Sequence, residues 1–235
     1  MYDGLIYVAD QFNHRIHVVT IAGDVCDIVR TLGPSFGPAQ GRFANPHQLA
    51  VSSDGIFVGD NKAVHFFSHG GIYVRSFAQE IGLVSEGERI GAVELAASGG
   101  EVFCLGWHET VGGMHRKAFI SVFSTAGVLL RRVNIPFKMS SLAVYGRTLF
   151  VMAERNRNGN SEFCIVMLTI QGTILGVIDV EALCTPFARP GFLEVGSLSI
   201  DASGTQLYFA DHNHHCVFML DSMPLQEVSL VRRLR

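Results

Sequence analysis

The chain has 235 residues and a formal net charge of −3, with 48% hydrophobic and 17% charged residues. That is ample material for a core and too little charge for a disordered chain. The near-neutral balance gives no whole-protein pull towards nucleic acid or an anionic membrane, and no apolar run reaches the roughly 18–20 residues that span a bilayer.

The first residues, MYDGLIYVADQFNHR, lack the basic-then-apolar pattern of a secretion signal. The five cysteines, Cys26, Cys104, Cys164, Cys184 and Cys216, are odd in number and include no CxxC pair. That pattern fits free thiols in a reducing compartment better than a disulfide framework or a structural zinc. No Asn-x-Ser/Thr acceptor occurs either, and together these features point to a cytoplasmic setting.

A short strand-like segment recurs along the chain. It reads IYVAD at 6–10, IFVGD at 56–60, VFCLG at 102–106, LFVMA at 149–153 and LYFAD at 207–211. All are rich in the β-branched and aromatic residues that suit a pleated sheet. A second segment precedes four of the five: QLAV at 48–51, ELAA at 94–97, SLAV at 141–144 and SLSI at 197–200. Tight turns such as Ser52-Ser53-Asp54-Gly55 and Tyr145-Gly146-Arg147 join each pair.

A third segment follows each of the five: RIHVV at 15–19, AVHFF at 63–67, FISVF at 119–123, FCIVM at 163–167 and CVFML at 216–220. A fourth follows a further turn, as in IYVRSF at 72–77, VLLRRVNI at 128–135 and ILGVIDV at 174–180, and EVSLVRRLR at 227–235 can serve as the last one. The unit is therefore a meander of four strands, repeated about every 50 residues. One such unit cannot cover its own apolar faces. Packing units side by side around an axis buries both faces and leaves only short edges, which predicts an all-β propeller.

Residues 4–19, GLIYVADQFNHRIHVV, resemble the signature of the NHL-repeat family, with Asn13 and His14 in its first two positions and Arg15 in the third. Residues 41–67 and 194–220 resemble further repeats, whereas 91–123 and 139–167 keep the rhythm without the triplet. The resemblance implies one propeller domain over residues 1–235 with four-stranded antiparallel blades, about five of them visible. The first blade lacks its inner strand. Complete relatives commonly have six blades, so a truncated six-bladed propeller is expected.

In such a meander the connections between second and third strands, and from each fourth strand to the next first, share one end. Here that end carries the stretches 10–15, 33–47, 107–117, 154–162, 185–196 and 211–215, most of them long. Long loops on a rigid scaffold are where recognition usually resides. They hold the single Trp, Trp107, with Phe12, Arg15, Arg42, His47, Arg155, Arg157, Arg189 and His212, a composition typical of binding hot spots. Phe43, also in these stretches, is equally suited to plugging a gap between blades.

Asp10, Asp60 and Asp211 end second strands and are expected to accept backbone N–H bonds in the turns that follow. His14 and His17 are expected on one strand face. His212, His214 and His215 cluster on a loop without the fixed geometry that a metal needs.

His47 stands at the mouth of an inner strand. In peptide-amidating lyases, whose propellers resemble NHL repeats, histidines at such places hold zinc. The corresponding positions here are Val93, Ser140 and Gly196, so one ligand of three is present. The reading is a non-enzymatic module binding a protein or peptide on the long-loop face, with no catalytic residue, metal or other cofactor assigned. Following the resemblance, it could belong to a larger protein such as a ubiquitin ligase. The rivals are a metal-dependent hydrolase or lyase at the axial mouth and a propeller binding single-stranded RNA.

Overall fold

The computed structural model describes residues 2–33, 41–60, 63–78, 89–109, 116–157, 160–180, 195–201, 203–211, 215–221 and 230–234. The chain divides into two compact units, Met1–Arg132 and Val133–Arg235.

The first unit begins with a three-stranded sheet of β1 (Ile6–Asp10), β2 (Arg15–Ala22) and β3 (Val25–Leu32). A four-stranded sheet follows: β4 (Gln48–Ser52), β5 (Gly55–Asp60), β6 (Ala63–Phe67) and β7 (Tyr73–Phe77). The next has β8 (Arg89–Ser98), β9 (Glu101–Glu109), β10 (Arg116–Ser124) and β11 (Leu129–Ile135). The boundary between the units falls within β11.

The second unit holds two four-stranded sheets. One is β12 (Lys138–Tyr145), β13 (Thr148–Arg157), β14 (Asn160–Thr169) and β15 (Ile174–Asp179). The other is β16 (Val195–Ile200), β17 (Gln206–Asp211), β18 (Cys216–Asp221) and β19 (Leu230–Leu234). The first, second and third recurring segments fall within these strands and the fourth segments overlap β7, β11, β15 and β19; among the described residues the first sheet has no strand inside β1.

Alternation along a strand explains how the sheets stack in the first unit. Every residue of β5 is buried. Ile56 and Val58 point into a cluster with Ile16, Val18 and Leu32 of the first sheet. Phe57, between them, points the other way, against Leu95, Val102, Cys104 and Phe123 of the third. A strand covered on both faces reads as an unbroken apolar run because successive side chains serve opposite neighbours. In the second unit, Phe150, Met152, Ile165 and Met167 pack on Leu198, Leu207, Phe209 and Phe218 in the same manner.

The turn from third to fourth strand is built alike in three sheets. Ser68, Ser124 and Thr169 each accept a bond from the glycine three residues on, at 2.8 Å in each case. Their hydroxyls also accept the N–H four residues on, at 3.1–3.2 Å. The glycine is required on two counts. Gly127 has φ +84°, and a β-carbon there would lie 2.7 Å from the Phe77 side chain of the preceding sheet. Gly71 has φ +82° and sits equally tightly on Arg30 and Leu32. The arginines of the outer strands reach the same turns: Arg75 donates to Ala126 O at 3.0 Å, and Arg30 to His69 O.

The outer strands also share an irregularity. Val29, Val74 and Leu175 are each an extra residue opposite a single neighbour, and each is exposed. Bulges of this kind twist an edge and discourage further strand pairing.

Candidate functional site

The long-loop end of the first two sheets is organised by Asp10 and Asp60, the last residues of β1 and β5. In both sheets the strand register places a histidine of the third strand beside the carboxylate and a hydroxyl of the fourth strand beside the histidine. His17 lies opposite Val8 and Thr31; His65 lies opposite Val58 and Ser76. The contacts run in line. Asp10 Oδ2 is 3.3 Å from His17 Nε2, and His17 Nδ1 is 3.2 Å from Thr31 Oγ1. Asp60 Oδ2 is 3.6 Å from His65 Nε2, His65 Nδ1 is 2.8 Å from Ser76 Oγ, and Ser76 Oγ is 2.8 Å from Tyr73 Oη.

The order carboxylate, imidazole, hydroxyl is also that of a nucleophilic triad. Here, however, the Asp60–His65 separation exceeds hydrogen-bond range, and the serine hydroxyl is engaged by a tyrosine. Both ring nitrogens of each histidine face a partner, so the two relays act as braces.

The carboxylates do different further work. Asp10 accepts Arg15 Nε at 2.9 Å and Asn13 Nδ2 at 2.8 and 3.0 Å. The Arg15 bond, and then that of Asn13, holds its carboxyl below the ordinary carboxylate range. Asp60 reaches outward along the chain instead, accepting Ala44 N at 2.7 Å and Asn45 N at 2.6 Å.

Those amides belong to the loop that leads into β4. The same loop is gripped from the first sheet by His14, whose Nδ1 donates to Ala44 O at 2.6 Å. A carbonyl only accepts, so Nδ1 carries the proton. His47 Nδ1 likewise donates to Asn45 O at 2.9 Å, and His47 N donates to Gly59 O at 3.1 Å. Beneath the loop Phe43 is fully buried, edge-on to His65 with ring centroids 5.4 Å apart. It plugs the gap between the two sheets.

These contacts gather Arg15, Arg42 and His47 at one end of the first two sheets. The Arg15 side chain is 41% exposed, Arg42 is exposed, and Phe12, in the short 3-10 turn Gln11–Asn13, is 90% exposed.

The other expected residues lie elsewhere or outside the description. Trp107 is not in a loop: β9 runs through it and pairs it with Gly91 and Ala118, because the hairpin extends to Glu109 and Arg116. Arg155 and Arg157 are likewise strand residues of β13, paired with Glu162 and Asn160. Polar residues there continue a ladder beyond the core. Arg189 and His212 lie outside the described residues.

His14 and His17 do not share a face. His14 has φ 56° and precedes β2, whereas His17 lies within it. Asp10 binds the side chains of Asn13, Arg15 and His17 rather than the N–H groups of the turn that follows it, whereas the turns after Asp60 and Asp211 lie outside the described residues. Sequence reading missed His65, Thr31, Ser76 and Tyr73. The usable signal was a second-strand Asp, a His at the third position of RIHVV and AVHFF, and a fourth-strand hydroxyl.

The three positions aligned with His47 are all at inner-strand irregularities. Val93 and Ser140 are extra residues in β8 and β12, and β16 shifts register between Val195 and Leu198, across Gly196. Among the described residues no three His, Cys, Asp or Glu side chains converge as a metal site would require, and no helix is long and apolar enough to cross a membrane.

No protein-family model matches the chain, and no curated protein matches it in sequence. Solved structures do resemble it. The β-propeller domain of Myceliophteria thermophila Cps50 (Swd1) aligns with a TM-score of 0.54 and 11% identity, covering 98% of this chain and 83% of that one. Myxococcus xanthus glutaminyl cyclase aligns at 0.51 and 13%, covering 89% and 83%. The complex of KlAtg21 with the coiled coil of AgAtg16 contributes a match at 0.51 and 10%, covering 97% and 65%. At these identities the likeness concerns the fold alone, and the fold is a β-propeller built from antiparallel meanders.

Proposed function

We propose that the chain is a non-enzymatic recognition module of NHL-repeat type, binding a protein or peptide at the end where its second strands finish. The observation that carries this reading is the clamped loop Phe43–His47. Asp60 and His14 fix its backbone from two sheets while Arg15, Arg42 and Phe12 remain exposed beside it. A rigid surface with exposed Arg and aromatic side chains loses little entropy on binding. The KlAtg21 propeller, in complex with a coiled coil, supports the class of activity. By the family resemblance, the module would be the substrate-recognition part of a larger protein, such as a ubiquitin ligase.

The test is affinity capture of partners with the wild-type chain and two variants of opposite ends. Arg42→Glu should lose the captured partner and Asp54→Ala, in the β4–β5 turn, should keep it. Loss with Asp54→Ala alone would place recognition at the other end.

A second reading is a metal-dependent hydrolase or lyase with a site at the axial mouth; the likeness to glutaminyl cyclase supports an enzyme only in general. Stoichiometric zinc in purified protein, lost on His47→Ala, would favour it.

A further inference from the structure

We infer that the clamped end of the first two sheets takes an extended acidic peptide segment carrying an apolar side chain near an Asp or Glu; this rests on the recognition reading above. Charge and exposure give the chemistry of the partner. Among the described residues, the carboxylates at this end are already committed: Asp10 to Arg15, Asn13 and His17, and Asp60, 7% exposed, to Ala44 N and Asn45 N. Arg42 is exposed with no ion pair among the described residues, and Arg15 is 41% exposed. The accessible charge among the described residues of this end is therefore cationic, and it complements an acidic partner.

The apolar half of the site is Phe12. Phe12 is 90% exposed on a turn that is pinned on both sides. Asn13 is bonded to Asp10 and His14 to Ala44 O, so the ring is displayed from an ordered backbone. Phe12 and Arg42 are each two residues from the His14–Ala44 bond. Two extended residues reach at most about 7 Å, which puts the two side-chain anchors within roughly 20 Å of one another. An extended peptide covers that distance with about six residues. A nucleic acid fits less well. It needs a continuous basic stripe, and the chain as a whole carries −3.

Random dodecapeptides displayed on phage are selected against the full chain, and the winners, synthesised with a fluorophore, are titrated by fluorescence polarisation at low and high salt. The expected winners carry Asp or Glu within about six residues of an aromatic or aliphatic side chain. Phe12→Ala weakens them about tenfold, as loss of a hot-spot aromatic does. Arg42→Glu also weakens them about tenfold, the gap narrows at ~0.5 M salt, and a Lys-for-acid peptide recovers binding to that variant. Arg42→Lys keeps most of the affinity, and melting curves show that each variant folds.

Winners without an acid, or winners indifferent to both Phe12→Ala and Arg42→Glu, overturn the inference. If such winners lose affinity with Trp107→Ala, the recognition reading stands and only this site falls. Failure to select any peptide, or preference for a poly-uridine probe over the peptides, overturns both.

Discussion

The first two sheets and the fifth solve the same local problem differently. Each has an aspartate closing its second strand, and Asp60 and Asp211 are both buried. In the first two sheets the third position of the third strand is His17 or His65, braced by Thr31 or Ser76. In the fifth sheet that position is Phe218, fully buried and stacked on Phe209 with ring centroids 5.2 Å apart. The fourth sheet goes further, with Val151 opposite Val166 and Ala153 opposite Cys164, all buried. The meander thus tolerates either a polar relay or apolar packing in one slot. The relay occurs in the two sheets that grip the Phe43–His47 loop. In the second sheet the relay stands behind the carboxylate that holds the loop, and in the first behind one that holds Arg15 and Asn13, which a phenylalanine cannot do; stability alone is available from either solution.

The largest effect should come from the residues that both designs share. Phe57→Ala removes a fully buried ring between the second and third sheets and should cost about 3–5 kcal/mol; Leu142→Ala in the fourth sheet should cost about 2–5 kcal/mol. Chemical denaturation measures both, and a cost below about 0.5 kcal/mol, the level of an ordinary surface change, would contradict the strand register. Asp60→Ala comes next. It strands the Ala44 and Asn45 amides, for about 2 kcal/mol.

His65→Phe transplants the fifth-sheet solution into the second sheet. It should cost about 1–2 kcal/mol by leaving Ser76 and Asp60 without the imidazole, and adding Ser76→Ala should recover part of that. Additivity of the two changes would mean that the relay is not a unit.

The smallest effects are in pH dependence. Asp201 accepts N–H bonds from Ser203, Thr205 and Gln206, and the Ser203 hydroxyl, the strongest influence, helps to hold its carboxyl down to about 2. A carboxyl lower in the folded chain than in the unfolded one stabilises the fold above the unfolded value, about 4. That stability is lost as pH falls towards about 2. Asp10, lowered by Arg15 and Asn13, acts in the same direction. Asp201→Asn should therefore flatten the acid limb of stability against pH in that window and leave neutral pH behaviour similar in shape. An unchanged acid limb would remove Asp201 as a contributor.

Strand order was legible because each strand carries its own composition and each turn its own glycine. The repeated turn Ser68–Ile72, Ser124–Val128 and Thr169–Thr173 even shares a Ser/Thr-x-x-Gly pattern that can be read without coordinates. The relays were not legible, since His17 and Thr31 meet only when the β2–β3 register is known, bulge included. Hairpin length was misread for a related reason. Arg155 and Arg157 lie among Asn, Gly and Glu, a loop-like composition, yet cross-strand pairing with Glu162 and Asn160 carries the ladder on. The clamp on Ala44 escaped notice because it uses backbone groups, which leave no mark in a sequence.

The central claim is that Asp60 and His14 together hold the Phe43–His47 loop in place for recognition. Amide hydrogen exchange at Ala44 and Asn45 tests it most directly. Both amides should be protected in the wild-type chain, and Asp60→Asn should release them while β5 and β6 keep their protection. Rapid exchange of Ala44 and Asn45 in the wild-type chain, or protection unchanged by Asp60→Asn, would contradict the account.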